Sequence, residues 1–424
     1  MTKRLCVALC ACALAGLPLA PAPAAACGGF FMPPTGSPSP VTRHRMAISM
    51  SMHETTLWDQ IQYEGAPEDF VWVLPVAGGV PVELADNAFF EALEQHTTIV
   101  MEAPLPPRTF CNDPCGGFFG AAAESGDFRG GPMSGEVTVH HQGAIGPYET
   151  ATIGSDDPDA LVAWLREHHY GVPDEVLPII AHYTAQGLDF AVLRLSSNFG
   201  VDRMQPVRVT VPGFGTSFPL RMVAAGVEGS VGLELFVFGE GRYGPMNFAS
   251  AEVDRDALTY DWASGTFDYE ARYAAAQATA DGRVWITEFA APAPASIGSW
   301  TSVSPRGEYH YAAEDWRVAT RHVPDPYLTR LTADLRVEHL DEDLILGAVA
   351  GGDLEARIRV TRELNRARDV ACPTTCTEPY GAGGTLRGDG RGDGLCATSP
   401  ARPGPWGLSV VLALAGLALA LRRR

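Results

Sequence analysis

Basic residues are scarce in this chain of 424 residues: 31 Lys and Arg stand against 50 Asp and Glu, a formal net charge of −19. A surface this acidic repels phosphate backbones and anionic lipid headgroups, which sets nucleic-acid binding aside. Local catalytic signatures are missing as well. No HExxH or HxxxH, GxSxG elbow, P-loop or strand-borne GxGxxG occurs, so zinc-protease, serine-hydrolase and nucleotide-binding chemistries have no local signal, and no cofactor is called for. Internal repeats are absent, and long apolar runs are confined to the two ends. What is present, 46% hydrophobic and 9% aromatic residues, suffices for a packed core and argues against disorder.

At the N-terminus, Lys3 and Arg4 precede an uncharged apolar run at 5–19. Residues 20–26 are Ala and Pro only, with Ala24 and Ala26 at the small-residue positions that a signal peptidase reads. Residues 1–26 are therefore expected to be a signal peptide; Pro18, Pro21 and Pro23 would break a buried helix here. Cleavage after Ala26 leaves Cys27 first. It is the weaker of two lipidation candidates, because Ala24 stands where a lipoprotein signal usually has Leu.

At the other end, residues 406–421 carry no charge and Arg422, Arg423 and Arg424 close the chain. A helix of this length rises about 24 Å, slightly short of a roughly 30 Å hydrocarbon core, and terminal arginines that snorkel make up part of the difference. By the positive-inside rule they also keep the last residues on the cytoplasmic side. The expected organisation is a signal peptide (1–26), a globular body (27–370, of one or two subdomains), a Gly/Pro/Asp-rich linker containing Cys396 (371–405) and a transmembrane tail (406–424). The two ends carry six basic and no acidic residues, so their removal leaves residues 27–396 at −25.

Cys6, Cys10 and Cys12 leave with the signal peptide, and Cys27, Cys111, Cys115, Cys372, Cys376 and Cys396 remain. Cys111 and Cys115 enclose the turn-forming triplet NDP; Cys372 and Cys376 enclose PTT. In an exported chain these four are expected to form disulfides, either within each CxxxC pair or between the pairs. A four-thiolate zinc site is the competing reading, but zinc ligands usually come as CxxC.

Along the body, partly alternating apolar and polar residues at 47–76 predict strands, and Asn87 is placed to cap a helix at 88–95. Pro158 at a first helical position opens a second helix, and 174–186 forms a third that Gly187 ends. Strands are predicted after Gly187 and at 207–211, 219–224, 233–238, 283–289, 327–337 and 354–361, with a helix at 269–280 and a loop at 291–306. Residues 116–135 are rich in Gly, Ala and Ser, and 136–141 returns to strand-like alternation. The order lacks the regular strand–helix alternation of a doubly wound sheet. The expected class is α+β, mostly antiparallel β-sheet with a central helix pair.

Few residues stand out as chemistry. His140–His141 and His168–His169 are adjacent pairs, whose side chains diverge in a strand or a helix alike and make no two-ligand site. Trp58, Tyr63, Phe70 and Trp72 could form a carbohydrate platform, but at strand spacing they read as core. Asp389 and Asp393 lack the dense acidic pattern of a calcium loop, and the RGD at 391–393 sits in a Gly-rich spacer where such a tripeptide arises by chance.

The mature chain begins CGGFF (27–31) and continues with IQYEGAPEDFVWVLPV (61–76), NAFFEAL (87–93), LVAWLREHHYGVP (161–173), MQPVRV (204–209) and YLTRL (327–331). This set resembles the exported bacterial family of unknown function DUF2330, over about 26–347. Family members often begin ACGGFFC, and Met32 stands where that second Cys would be. The family brings no established activity. Separately, Cys396, its Pro-rich spacer, the apolar run and the arginine cluster resemble the MYXO-CTERM sorting tail of exported bacterial proteins. That resemblance implies removal of the tail at or near Cys396, lipid attachment at that Cys and display on the cell surface. Two functions follow as expectations. The first is a non-catalytic protein of the envelope, outer membrane or cell surface, attached to the membrane through its C-terminal helix or a lipid and binding an envelope or extracellular partner. The alternative is an extracellular hydrolase built from acids without a local signature, such as Glu68, Asp69 and Glu288.

Overall fold

The computed structural model describes residues 29–31, 41–63, 71–105, 143–154, 157–167, 172, 174–227 and 229–366. The expected signal peptide, linker and tail lie outside the described residues. So do Cys27, Cys111, Cys115, Cys372, Cys376 and Cys396, both histidine pairs, Glu68, Asp69 and Phe70.

Period-two burial organises the chain. In Val71–Ala77, Trp72, Leu74 and Val76 enter one core while Val71 and Val73 enter another. In Leu188–Leu195, Ala191, Leu193 and Leu195 likewise oppose Leu188, Phe190 and Val192. A strand buried on both faces must lie between two layers. In chain order the main elements are β1 (Gly29–Phe31), β2 (Val41–Met50), β3 (Glu54–Tyr63), β4 (Val71–Ala77), β5 (Val82–Leu84), α1 (Asn87–Thr97), β6 (Gly143–Ile145), β7 (Tyr148–Ile153), α2 (Pro158–Glu167), α3 (Leu177–Ala185), β8 (Leu188–Leu195), β9 (Val207–Pro212), β10 (Ser230–Gly239), β11 (Ala249–Ala251), α4 (Tyr269–Gln277), β12 (Val284–Pro292), α5 (Ala313–Thr320) and β13 (Tyr327–Arg336).

They form an eight-stranded sheet in the order β11-β12-β13-β10-β2-β3-β9-β5 and a five-stranded sheet in the order β1-β4-β8-β7-β6. The largest core cluster joins β2, β3, β10 and β13 of the large sheet to β4 and β8 of the small one. A second covers the other face of the large sheet with Ala88, Phe89, Phe90 and Leu93 of α1 and Val318 and Ala319 of α5. A third packs α2 and α3 on the outer face of the small sheet. The body is thus a four-layer α/β/β/α sandwich.

Sheet dominance, antiparallel pairing and the helix pair agree with the sequence. Two ladders of the large sheet are parallel instead, β2 with β10 and β11 with β12, as are the short ladders of Thr259–Asp261 with Arg362–Leu364 and of Arg357–Arg359 with Val100–Glu102. Several local expectations need correction. Asp86, not Asn87, caps α1, its carboxylate accepting from the Ala88 N–H at 2.9 Å. The expected strand at 219–224 is a helical turn, Leu220–Val223, whose buried Leu220, Met222 and Val223 feed two different cores. Of 354–361 only Arg357–Arg359 is a strand. The 291–306 loop contains the strand Thr301–Val303, paired with Tyr309–Tyr311. Helix α5 has no forecast in the sequence. No helix among the described residues is long and apolar enough to cross a membrane.

Candidate functional site

The outer face of the large sheet changes character along its strands. Register sets successive rows across β2, β10 and β13: Ser49–Phe238–Leu328, then Ala47–Phe236–Arg330, then Arg45–Glu234–Thr332, then Arg43–Gly232–Asp334. The first rows lie in the apolar cluster shared with α1 and α5. Beyond them the face becomes charged and floors a cleft of about 480 Å³ lined by Arg43, Glu234, Tyr273, Glu288, Arg330 and Asp334 among others.

Glu234 is 1% exposed and lies between two guanidiniums: Arg43 Nη2 donates to its Oε2 at 2.9 Å, and Arg330 pairs with its Oε1. Burial of such a carboxylate is tolerable only because it is paired. Arg330 also approaches Glu288, with Nε 3.6 Å from Oε2. Glu288 is positioned by an irregularity: the β12–β13 register shifts between Thr287 and Phe289, so Glu288 is the extra residue of a bulge, a feature that re-aims side chains. Its Oε1 accepts from the Tyr269 hydroxyl at 2.9 Å. Burial, and then the Glu288 charge, push the Tyr269 hydroxyl pKa upward, so it stays a donor. One turn along α4, Tyr273 bonds Thr332 at 2.9 Å, and burial raises its pKa too. On the α1 side, Glu94 accepts from Arg45 at 2.8 Å; burial lowers the Arg45 pKa against the pull of Glu94 and Glu234.

Two further polar centres lie apart from this cleft. Asp315 of α5 accepts from Trp58 Nε1, Arg208 Nη1 and the Asp86 backbone N–H, each at 2.8 Å. Burial still raises its pKa over those three stabilising contacts. In the core between the sheets, His44 of β2 and Asp59 of β3 form a short hydrogen bond, both nearly fully buried. The basic side chains of these centres are arginine and histidine, and Lys3 is the chain's sole lysine. Arginine's rigid, weakly hydrated fork suits buried bidentate pairing better than an ammonium.

Of the residues singled out in sequence that are among the described residues, Glu288 alone lies in the cleft. Trp58 and Trp72 are fully buried and Tyr63 nearly so, hence core and not a platform. No cluster of three His, Cys, Asp or Glu suited to a metal occurs among the described residues. Arg43, Glu234, Tyr273 and Arg330 carry no local motif. For Arg43 and Glu234 the signal is positional: Arg43 and Arg45 stand two places apart in VTRHRM, and Glu234 stands between Leu233 and Leu235 in SVGLEL, on the face opposite Met46, Leu233 and Leu235.

Residues 21–344 match the family described as an uncharacterized protein conserved in bacteria (DUF2330). The chain belongs to this family. The DUF2330 match takes in the large sheet and nearly all of the four-layer body, cleft included. No curated protein matches the chain, and no solved structure does.

Proposed function

We propose that this DUF2330 protein is exported, held at the cell envelope or cell surface, and serves there as a binding module and not as an enzyme. The observation that carries the binding reading is the commitment of two of the cleft's carboxylates. Glu234 is held between Arg43 and Arg330, and Glu288 between Tyr269 and Arg330. A general acid, base or nucleophile must be free to exchange a proton or attack, whereas a carboxylate fixed by guanidinium holds its charge and its place. Fixed donors and acceptors at known positions are what recognition needs.

Export and anchoring rest on the sequence of the two ends, the basic–apolar–Ala24/Ala26 order and the arginine-ended tail with Cys396. The four cysteines Cys111, Cys115, Cys372 and Cys376 are oxidised on this reading. In the native host, the protein is expected in the envelope fraction, beginning at Cys27, with those four cysteines recovered as disulfides by non-reducing peptide mapping. Intact Met1 in a cytoplasmic fraction overturns the export reading. Turnover of a glycoside, ester or peptide substrate that Glu288→Gln abolishes overturns the binding reading.

A further inference from the structure

We infer that the cleft over β2, β10 and β13 takes a neutral, hydroxyl-rich ligand, a mono- to trisaccharide, with Arg43, Glu234, Arg330 and Tyr273 as its contacts. This rests on the reading of the body as a binding module and names the class of ligand.

Three observations lead there. First, the cavity, about 480 Å³, falls in the range of small-ligand sites, roughly 300–1,000 Å³. Second, its charges are mixed. Two guanidiniums (Arg43, Arg330) and three carboxylates (Glu234, Glu288, Asp334) line it. A phosphate or carboxylate ligand would meet the three acids, and an ammonium ligand the two arginines. A neutral ligand escapes both penalties, and vicinal hydroxyls, each donor and acceptor at once, match a guanidinium beside a carboxylate. Third, the floor is prearranged for directional contacts. Arg43 and Arg330 hold Glu234 between them, and Tyr269 and Arg330 hold Glu288, so guanidinium donors and carboxylate acceptors stand side by side on adjacent strands lining the cleft. Arg43 keeps 37% of its side chain exposed at the mouth. Tyr273, stacked with Tyr269 at 6.3 Å between centroids, adds a ring at the wall for the C–H face of a sugar.

The test uses the full-length protein in mild detergent on an array of neutral mono- to trisaccharides, with sulfated and phosphorylated sugars and acidic and basic peptides as competing arms. The strongest neutral sugar is then titrated by calorimetry. Signals confined to neutral sugars are expected. Arg43→Ala, at the half-exposed mouth, and Tyr273→Ala should each weaken binding about tenfold or more with unchanged circular dichroism. Tyr311→Ser, on the hairpin outside the cleft, should leave binding unchanged. Signals only from charged sugars or peptides overturn the saccharide inference and leave the binding module standing. A blank array, or neutral-sugar binding indifferent to both cleft variants, overturns it as well. Failure of the export reading is seen separately, in the location of the native protein.

Discussion

Arg330 is the residue on which the charged end of the large sheet turns. It neutralises Glu234, approaches Glu288, and lies over the Phe236 ring at 5.9 Å. Removing the Arg330 guanidinium leaves the buried Glu234 with Arg43 alone, so Arg330→Ala is expected to cost about 3 kcal/mol in urea denaturation, the lower end of the range for a broken buried pair. Replacing both partners with apolar residues of similar volume, Arg330→Met with Glu234→Leu, should recover most of that loss, because the most deeply buried carboxylate is then gone with its cation. A double variant as unstable as the single would show that Arg330 supports the fold through packing and not through charge. The pair was not legible in the sequence. Glu234 and Arg330 lie on different strands, and period-two alternation places each on a face without saying which strand runs beside it.

At the scale of elements, helix α1 shows what could be foreseen and what could not. Its apolar spacing was readable, and Phe89, Phe90 and Leu93 are buried as that spacing requires. Its cap was misplaced by one residue because two capping types, Asp86 and Asn87, stand side by side. Tertiary contacts decide between them. The Asp86 carboxylate accepts from His310 Nδ1 at 3.1 Å and the Tyr311 N–H at 3.3 Å, so one side chain both caps α1 and fastens the Thr301–Val303/Tyr309–Tyr311 hairpin. Asp86→Ala is expected to cost about 1–2 kcal/mol, the upper part of the range for a lost cap. The hairpin amides, Tyr311 first, should exchange hydrogen faster, while Asp86→Asn keeps most of both effects. Unchanged exchange at Tyr311 would mean that the hairpin is held by other contacts. Helix α5 escaped notice for a related reason: its buried face includes Asp315, a polar residue whose three partners become visible only in the fold.

At the scale of the whole molecule, the core clusters among the described residues draw on none later than Val360. Residues 27–370 should therefore fold as a soluble, monodisperse body without the tail. Residues 373–394 offer little apolar surface, and ordering them would cost about 1–2 kcal/mol per residue. If truncations after 370 and after 376 both aggregate in size-exclusion chromatography while the full-length protein in detergent does not, the tail is part of the fold.

The parallel pairing of β2 with β10 also bears on how the chain is made. The Arg43–Glu234 contact joins residues 191 positions apart in the chain. Strand β2 finds β3 as soon as both have been synthesised, but its second edge stays open until β10 arrives. At about 5–20 residues per second of synthesis, that wait is roughly 10–40 seconds. An open edge invites pairing with other nascent chains, and charges along it are the usual deterrent. Arg43, which ends on the floor of the cleft, and Arg45 stand on that edge throughout. Both serve as gatekeepers before Arg43 serves as a ligand contact, so neutralising both should lower the yield of soluble protein by a route that no measurement on the folded state would reveal.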